Sequence, residues 1–277
     1  EFNHNINATY NSFDIFTFKF IAANLSINTT SNKIVNSIDS VSQGIQLIKP
    51  INLNGAFNSS SFVTLGVPFK NSKLKGSSVN LTNSVSYARD VSMLYEQKNV
   101  GRTTTVTQGA GINFNLFNER LDLGINASVS YYNLKYSVNK ALNENYFTQS
   151  YSADFSVTLP ANFIVASDFD YYLNSGRTDG FNQAFPLWNA SLSRQFLKNR
   201  NAELKFSCND ILNRNQAIAR TAADNFIEDT RTNVLRRYYM IGLLVNINKM
   251  GKNGNPMQNM SLPKQIERAL RNLHFVN

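Results

Sequence analysis

Charge is scarce in this chain. Of 277 residues, 16% are Asp, Glu, Lys or Arg, against about 25% in an ordinary soluble domain. The deficit is filled by Asn, Ser and Thr. Cysteine is nearly absent, and the lone Cys208 excludes a disulfide framework and a Cys-based metal site. Histidine is limited to His4 and His274, far apart in sequence, so no His–carboxylate metal spacing exists. A Ser-His-Asp set would need one of those two, and neither sits in a nucleophile context. No run of 18 apolar residues occurs, which excludes a transmembrane helix but leaves membrane strands open. The net charge is +9. Lys and Arg are nevertheless scattered over turns and connections rather than gathered in a stripe, which argues against nucleic acid as a partner.

What is present is alternation. From Leu121 to Tyr132 the chain reads LDLGINASVSYY. Leu121, Leu123, Ile125, Ala127, Val129 and Tyr131 are apolar, and Asp122, Gly124, Asn126, Ser128 and Ser130 are small or polar. This period of two marks a strand with one apolar and one wet face. The pattern recurs in eleven segments, over about 2–10, 16–30, 45–69, 79–87, 106–116, 121–132, 147–159, 163–173, 188–196, 204–209 and 239–247. The second slips phase at Ala22–Ala23, which suggests a bulge. The third is long and muddled around Ser59–Ser61, as two strands would be.

Connection lengths sort by parity. The turns 118–120, 160–162 and 199–201 are tight, whereas 31–44, 90–102, 139–146, 174–186 and 213–230 are long. Outer-membrane barrels pair short periplasmic turns with long extracellular loops, and a soluble sandwich has no reason to sort them. Tyr131, Tyr171, Trp188 and Tyr239 fall near the long-connection ends. Phe16, Phe114, Phe163, Phe196 and Phe206 fall near the short-turn ends, the placement expected of two aromatic girdles. Arg194 and Gln108 break the apolar face.

The expectation is an all-β fold, a portion of an antiparallel transmembrane β-barrel in the bacterial outer membrane. Residues 1–250 are the barrel strands and 251–277 a periplasmic tail with a short helix over 262–273, where Ser261 caps and Leu262, Ile266, Ala269, Leu270 and Leu273 form one stripe. Disorder of the tail is the competing reading. Leu123, Ile125, Val129, Tyr131, Phe155, Val157, Trp188, Leu192, Tyr239, Leu243 and Val245 are assigned to lipid. Asp122, Asn126, Asp154, Asp168, Asp170, Asn189 and Asn246 are assigned to the lumen. Eleven strands would leave two bare edges in lipid, so further strands must pair with them, from the same protein or another chain. Glu1 lies in the first strand pattern, which reads as a fragment, a processed product or a partial chain.

The segments KIVNSI (33–38), KPINLNG (49–55), LWNASLSRQFL (187–197), NDILNRN (209–215) and VLRRYYMIGLLVNI (234–247) resemble the C-terminal half of TonB-dependent-receptor-like outer-membrane barrels of the Bacteroidota. The resemblance covers about residues 10–250. It implies 11 strands of a 22-stranded barrel, a plug, contact with TonB, a surface lipoprotein lid and import of a nutrient or metallophore. A departure from that pattern is the 27-residue stretch from Gly251. A scaffold barrel in a larger assembly and a passive porin are the alternatives.

No catalytic, cofactor or metal set is found, so the expectation is no enzyme activity. Asp168 and Asp170 are neighbours on one face and could do acid–base work, though charges lining a wet interior read the same way. Gly109 and Gly111 lack the following helix of a phosphate loop and read as strand glycines.

Overall fold

The computed structural model describes residues 1–42, 45–118, 120–176, 182–197, 200–215, 217–222, 227–232 and 234–245. They form fifteen strands: β1 (Phe2–Phe13), β2 (Phe20–Ser31), β3 (Lys33–Ser42), β4 (Ile45–Leu53), β5 (Ala56–Pro68), β6 (Ser78–Leu94), β7 (Gln97–Leu116), β8 (Leu121–Tyr136), β9 (Glu144–Leu159), β10 (Phe163–Ser175), β11 (Gln183–Phe196), β12 (Ala202–Asn209), β13 (Ala217–Ala222), β14 (Ile227–Thr232) and β15 (Tyr238–Val245). Eleven pair in one path, β1-β2-β5-β6-β7-β8-β9-β10-β11-β12-β15, each antiparallel to its neighbour. Continuous antiparallel ladders therefore join each strand of the path to its neighbours, the condition for crossing lipid with strands. The sheet is open in the described residues, with β1 and β15 as its edges. Both edge strands are exposed along their whole length. With eleven strands on the path, β1 and β15 run in the same direction.

Short turns close one end of the sheet. In 14–19 the Asp14 carboxylate accepts the Phe16 and Thr17 N–H groups at 2.9 and 3.2 Å and the Thr17 hydroxyl at 2.5 Å. Phe117 and Asn118, and Ala161 and Asn162, supply consecutive left-handed residues, the twist that a tight hairpin between twisted strands requires. Asn71 caps a 3₁₀ turn at Ser72–Leu74 by accepting the Lys73 N–H at 2.9 Å.

The other end carries the structured long connections. The β3–β4 hairpin leaves the path and lays β3 parallel to the tip of β6, pairing Ser37 with Met93 and Ile38 with Leu94. Val35, Ala56 and Val91 are buried there, with Ile51, Leu53 and Val100 packed around them. A Lys33–Asp90 ion pair at 2.9 Å closes the edge. Leu134, Tyr136 and Tyr146 form a second small core beneath Leu142, and β13 and β14 make a separate hairpin.

Several expectations change. The segment 31–44 contains β3 rather than an irregular connection, because the tips of β6 and β7 give its apolar residues a surface that the chain alone does not reveal. The segment 90–102 is strand on both sides of a two-residue turn at Tyr95 and Glu96, both left-handed. The long third segment divides into β4 and β5, the two strands that its muddled phase suggests. The second strand begins at Phe20, after the 14–19 turn, and pairs without a register break with both neighbours. There is no bulge. Phe20 points to the face shared with Gly66, directly opposite, and a Cβ on Gly66 would lie 1.9 Å from its ring. The ring fills space that glycine leaves open, and the slip is in hydrophobicity rather than in backbone. The 262–273 helix and Asn246 lie outside the described residues.

Candidate functional site: the two faces of the sheet and its long-connection mouth

Directly paired residues share a face, so the registers sort every side chain on the path. On one face Leu123 pairs with Phe114 and Phe155, Ile125 with Ile112 and Ala153, and Val157 with Leu121 and Val165. That face continues through Phe169 opposite Trp188, Leu192 opposite Phe206, Leu204 opposite Leu243, Cys208 opposite Tyr239 and Ala202 opposite Val245. All residues read from sequence as lipid-directed fall on it. Ile125 is 58% exposed, Leu192 46% and Leu243 64%, so no second sheet among the described residues covers this face.

The apolar band has a measurable height. It begins at the row Leu116–Leu121–Val157 and ends at Val106–Tyr131–Phe147, where Tyr131 and Phe147 rings lie 4.9 Å apart. The next rows toward the mouth are Thr104–Asn133–Asn145 and then Arg102–Lys135. Ten residue steps from Leu121 to Tyr131 make about 34 Å of strand at ~3.4 Å per residue. At a tilt of about 40° that is about 26 Å, the ≈ 25 Å of an outer-membrane band. Arg194, which breaks the pattern, lies over the Phe163 ring at 5.1 Å near the short-turn end, a cation–π contact that leaves the guanidinium close to the rim. Gln108 pairs with Asn83 and Val129, one row below the Tyr131 ring row.

The opposite face is polar. Asp122 pairs with Asn115 and Ser156, Asn126 with Gly111 and Ser152, and Asp154 with Gly124 and Asp168. Asp170 pairs with Ser152, and Asn189 with Asp168. The described residues read as lumen-directed therefore share one face. Asn189 donates to Asp168 Oδ2 at 2.6 Å and Asn126 to Ser152 Oγ at 3.3 Å, while the Thr107 and Ser130 hydroxyls lie 2.8 Å apart. Glycines make room on this face: a Cβ on Gly109 would meet Thr82 Oγ1 at 2.3 Å, and one on Gly111 would meet Asn126 Oδ1 at 2.3 Å. Gly109 and Gly111 are thus strand glycines over which neighbouring polar side chains lean.

Toward the mouth this polar face turns aromatic, which the alternation did not suggest. Tyr132 stacks on Tyr146 with ring centroids 4.5 Å apart, and Tyr172 on Phe185 at 5.1 Å. The signal was present in the sequence as Tyr132, Leu134 and Tyr136, which put large residues at the even positions where Asn126 and Ser128 stand lower down.

At the mouth end of β12 the 209–215 corner is tightly built. Asp210, 1% exposed, accepts the Arg214 and Asn215 N–H groups at 2.9 and 3.0 Å. Its own N–H donates to Asn189 Oδ1 at 2.8 Å. The Ile211 N–H donates to the Trp188 carbonyl at 2.7 Å. Asn213 Oδ1 accepts the Arg237 N–H at 3.3 Å and Asn215 Nδ2 donates to the Leu235 carbonyl at 3.0 Å. The two sequence boxes singled out, 209–215 and 234–247, are therefore physically joined.

No group of three or more His, Cys, Asp or Glu poised for a metal exists among the described residues. Residues 1–244 match the model of an outer membrane protein beta-barrel family. No curated protein and no solved structure matches the chain.

Proposed function

The chain belongs to this outer-membrane β-barrel family and resides in the bacterial outer membrane, and from that premise we propose that it is part of the wall of a TonB-dependent-type transporter importing a nutrient or metallophore. The observation that carries the reading is the pairing of a band about 26 Å tall on one face with an Asn-, Ser-, Thr- and Asp-lined face on the other. In this reading Leu123, Ile125, Val129, Tyr131, Phe155, Val157, Trp188, Leu192, Tyr239, Leu243 and Val245 meet lipid. Asp122, Asn126, Asp154, Asp168, Asp170 and Asn189 meet the lumen or a plug. The short turns face the periplasm and the mouth faces outward.

The transport function rests on the resemblance carried by the 209–215 and 234–247 boxes. The partners are further strands at the β1 and β15 edges, a plug, TonB and a surface lipoprotein, and the chemistry is binding and passage, with no catalysis and no cofactor. Energised uptake tests it. Cells carrying the whole transporter should take up its solute only with TonB and a proton-motive force. Uptake that follows the external gradient without TonB would mark a porin instead. Loss of an outer-membrane assembly with uptake intact would mark a scaffold.

A further inference from the structure

We propose that the 209–215 corner and the residues leading into β15 form a binding site for an oxyanion, a phosphate or carboxylate group, at the mouth. Asn213, Arg214, Asn215 and Arg236 line a cavity of about 270 Å³ there. That is below the ≈ 300–1,000 Å³ of drug-sized pockets and suits a small solute or a headgroup rather than a long ligand.

Three features carry this site. Its walls are held before any ligand arrives. The buried Asp210 carboxylate fastens the backbone of Arg214 and Asn215, and Asn213 and Asn215 tie that corner across to Arg237 and Leu235. Preorganisation of this kind lowers the ordering cost of binding. The two charged side chains that line the cavity are both cationic, a guanidinium from each of two segments about twenty residues apart, and the Asp210 carboxylate is not among the lining residues. Among the described residues neither guanidinium takes part in an ion pair. Its donors have the right shape, because the planar fork of Arg matches carboxylate and phosphate with two parallel hydrogen bonds. An oxyanion in the cavity can accept from both guanidiniums, which line it together. The site stands apart from the transport reading, since it concerns equilibrium binding at the mouth.

The anion can come from a free solute or from a lipid headgroup, and one titration series separates the two. Inorganic phosphate is titrated by calorimetry into the assembled barrel in phosphatidylcholine vesicles, and again in vesicles containing phosphatidylglycerol. Arg214→Gln and Arg236→Gln should each weaken phosphate binding roughly tenfold, with Arg236→Lys between them and the parent. Lys135→Gln, an equal loss of charge at the mouth end of β8, should change nothing. Both series are run at about 0.5 M salt, which screens the anionic surface; phosphate affinity still reduced in the phosphatidylglycerol vesicles assigns the site to a headgroup, and equal affinity in both assigns it to a solute. Each side chain is exposed, so folding should survive, and Trp188 fluorescence checks it. No phosphate binding in phosphatidylcholine up to about 10 mM would overturn the proposal. So would Arg variants that bind like the parent, or a Lys135→Gln loss as large as theirs.

Discussion

An arginine placed at Ile125 should destabilise the assembled barrel far more than one placed next door at Asn126. Ile125 is the third apolar residue of the band that begins at Leu121, close to its middle, and it stands between Ile112 and Ala153 on the apolar face. A guanidinium at the bilayer midplane of a barrel costs about 2–4 kcal/mol, a factor of roughly 30–1,000 in the folding constant. Asn126 is on the opposite face, opposite Ser152 and Gly111, where a charge stays hydrated and the cost should be about 1 kcal/mol or less. Val129 gives a depth control. It lies one row below Tyr131 and Phe147, about 5 Å from that ring row along the normal, so Val129→Arg should fall near 1 kcal/mol. The assay is reversible denaturant unfolding of the barrel in phospholipid vesicles. The single tryptophan, Trp188, is the reporter, since it pairs with Phe169 on the apolar face. Equal costs at Ile125 and Asn126 would refute the assignment of faces, and equal costs at Ile125 and Val129 would refute the placement of the band.

Asp210→Ala should leave the Arg214 and Asn215 amides without an acceptor, at about 1–3 kcal/mol of local stability. Hydrogen exchange should speed up at 213–215 and 235–237 while β7–β9 stay protected, and unchanged exchange there would refute the corner's role. Asp14, in a short turn outside the spanning strands, is held below its ordinary value of 3.8 by the Thr17 hydroxyl and then by the Phe16 and Thr17 amides. A depressed carboxylate stabilises above its ordinary pKa, and that contribution is lost as pH falls through the lower folded value. An NMR titration of Asp14 should therefore lie below 3.8 and move upward in Thr17→Val; no movement would discard the cause. Gly66→Val should displace the Phe20 ring, since even a Cβ lies 1.9 Å from it, and Phe20→Ala should relieve that strain in the double variant by a measurable coupling. Removing 216–228 should impair ligand or partner binding while heat-modifiable migration shows a folded barrel, and uptake and assembly both unaffected would sink loop-based recognition.

The sequence alone determined the strands that cross and the faces they present. A period of two along β6–β12 makes side-chain direction a matter of counting, and lipid demands a mainly apolar face while water tolerates Asn, Ser, Thr and Asp on the other. That is why the eleven crossing strands and the parity of their connections were readable from 121–132 outward. Phe20 shows where counting fails: an aromatic on the polar face is explained only by Gly66, across a strand pair 46 residues apart in sequence. The same holds at the mouth. β3 is a strand because the tips of β6 and β7 receive Val35, and the corner at Asp210 exists because Asn189, Arg214 and Asn215 converge on it. The wall is written in local alternation because each strand answers to its solvent. Outside the membrane the solvent is the same for every residue, and only long-range contacts, fixed by the assembled sheet, decide which segments fold against one another.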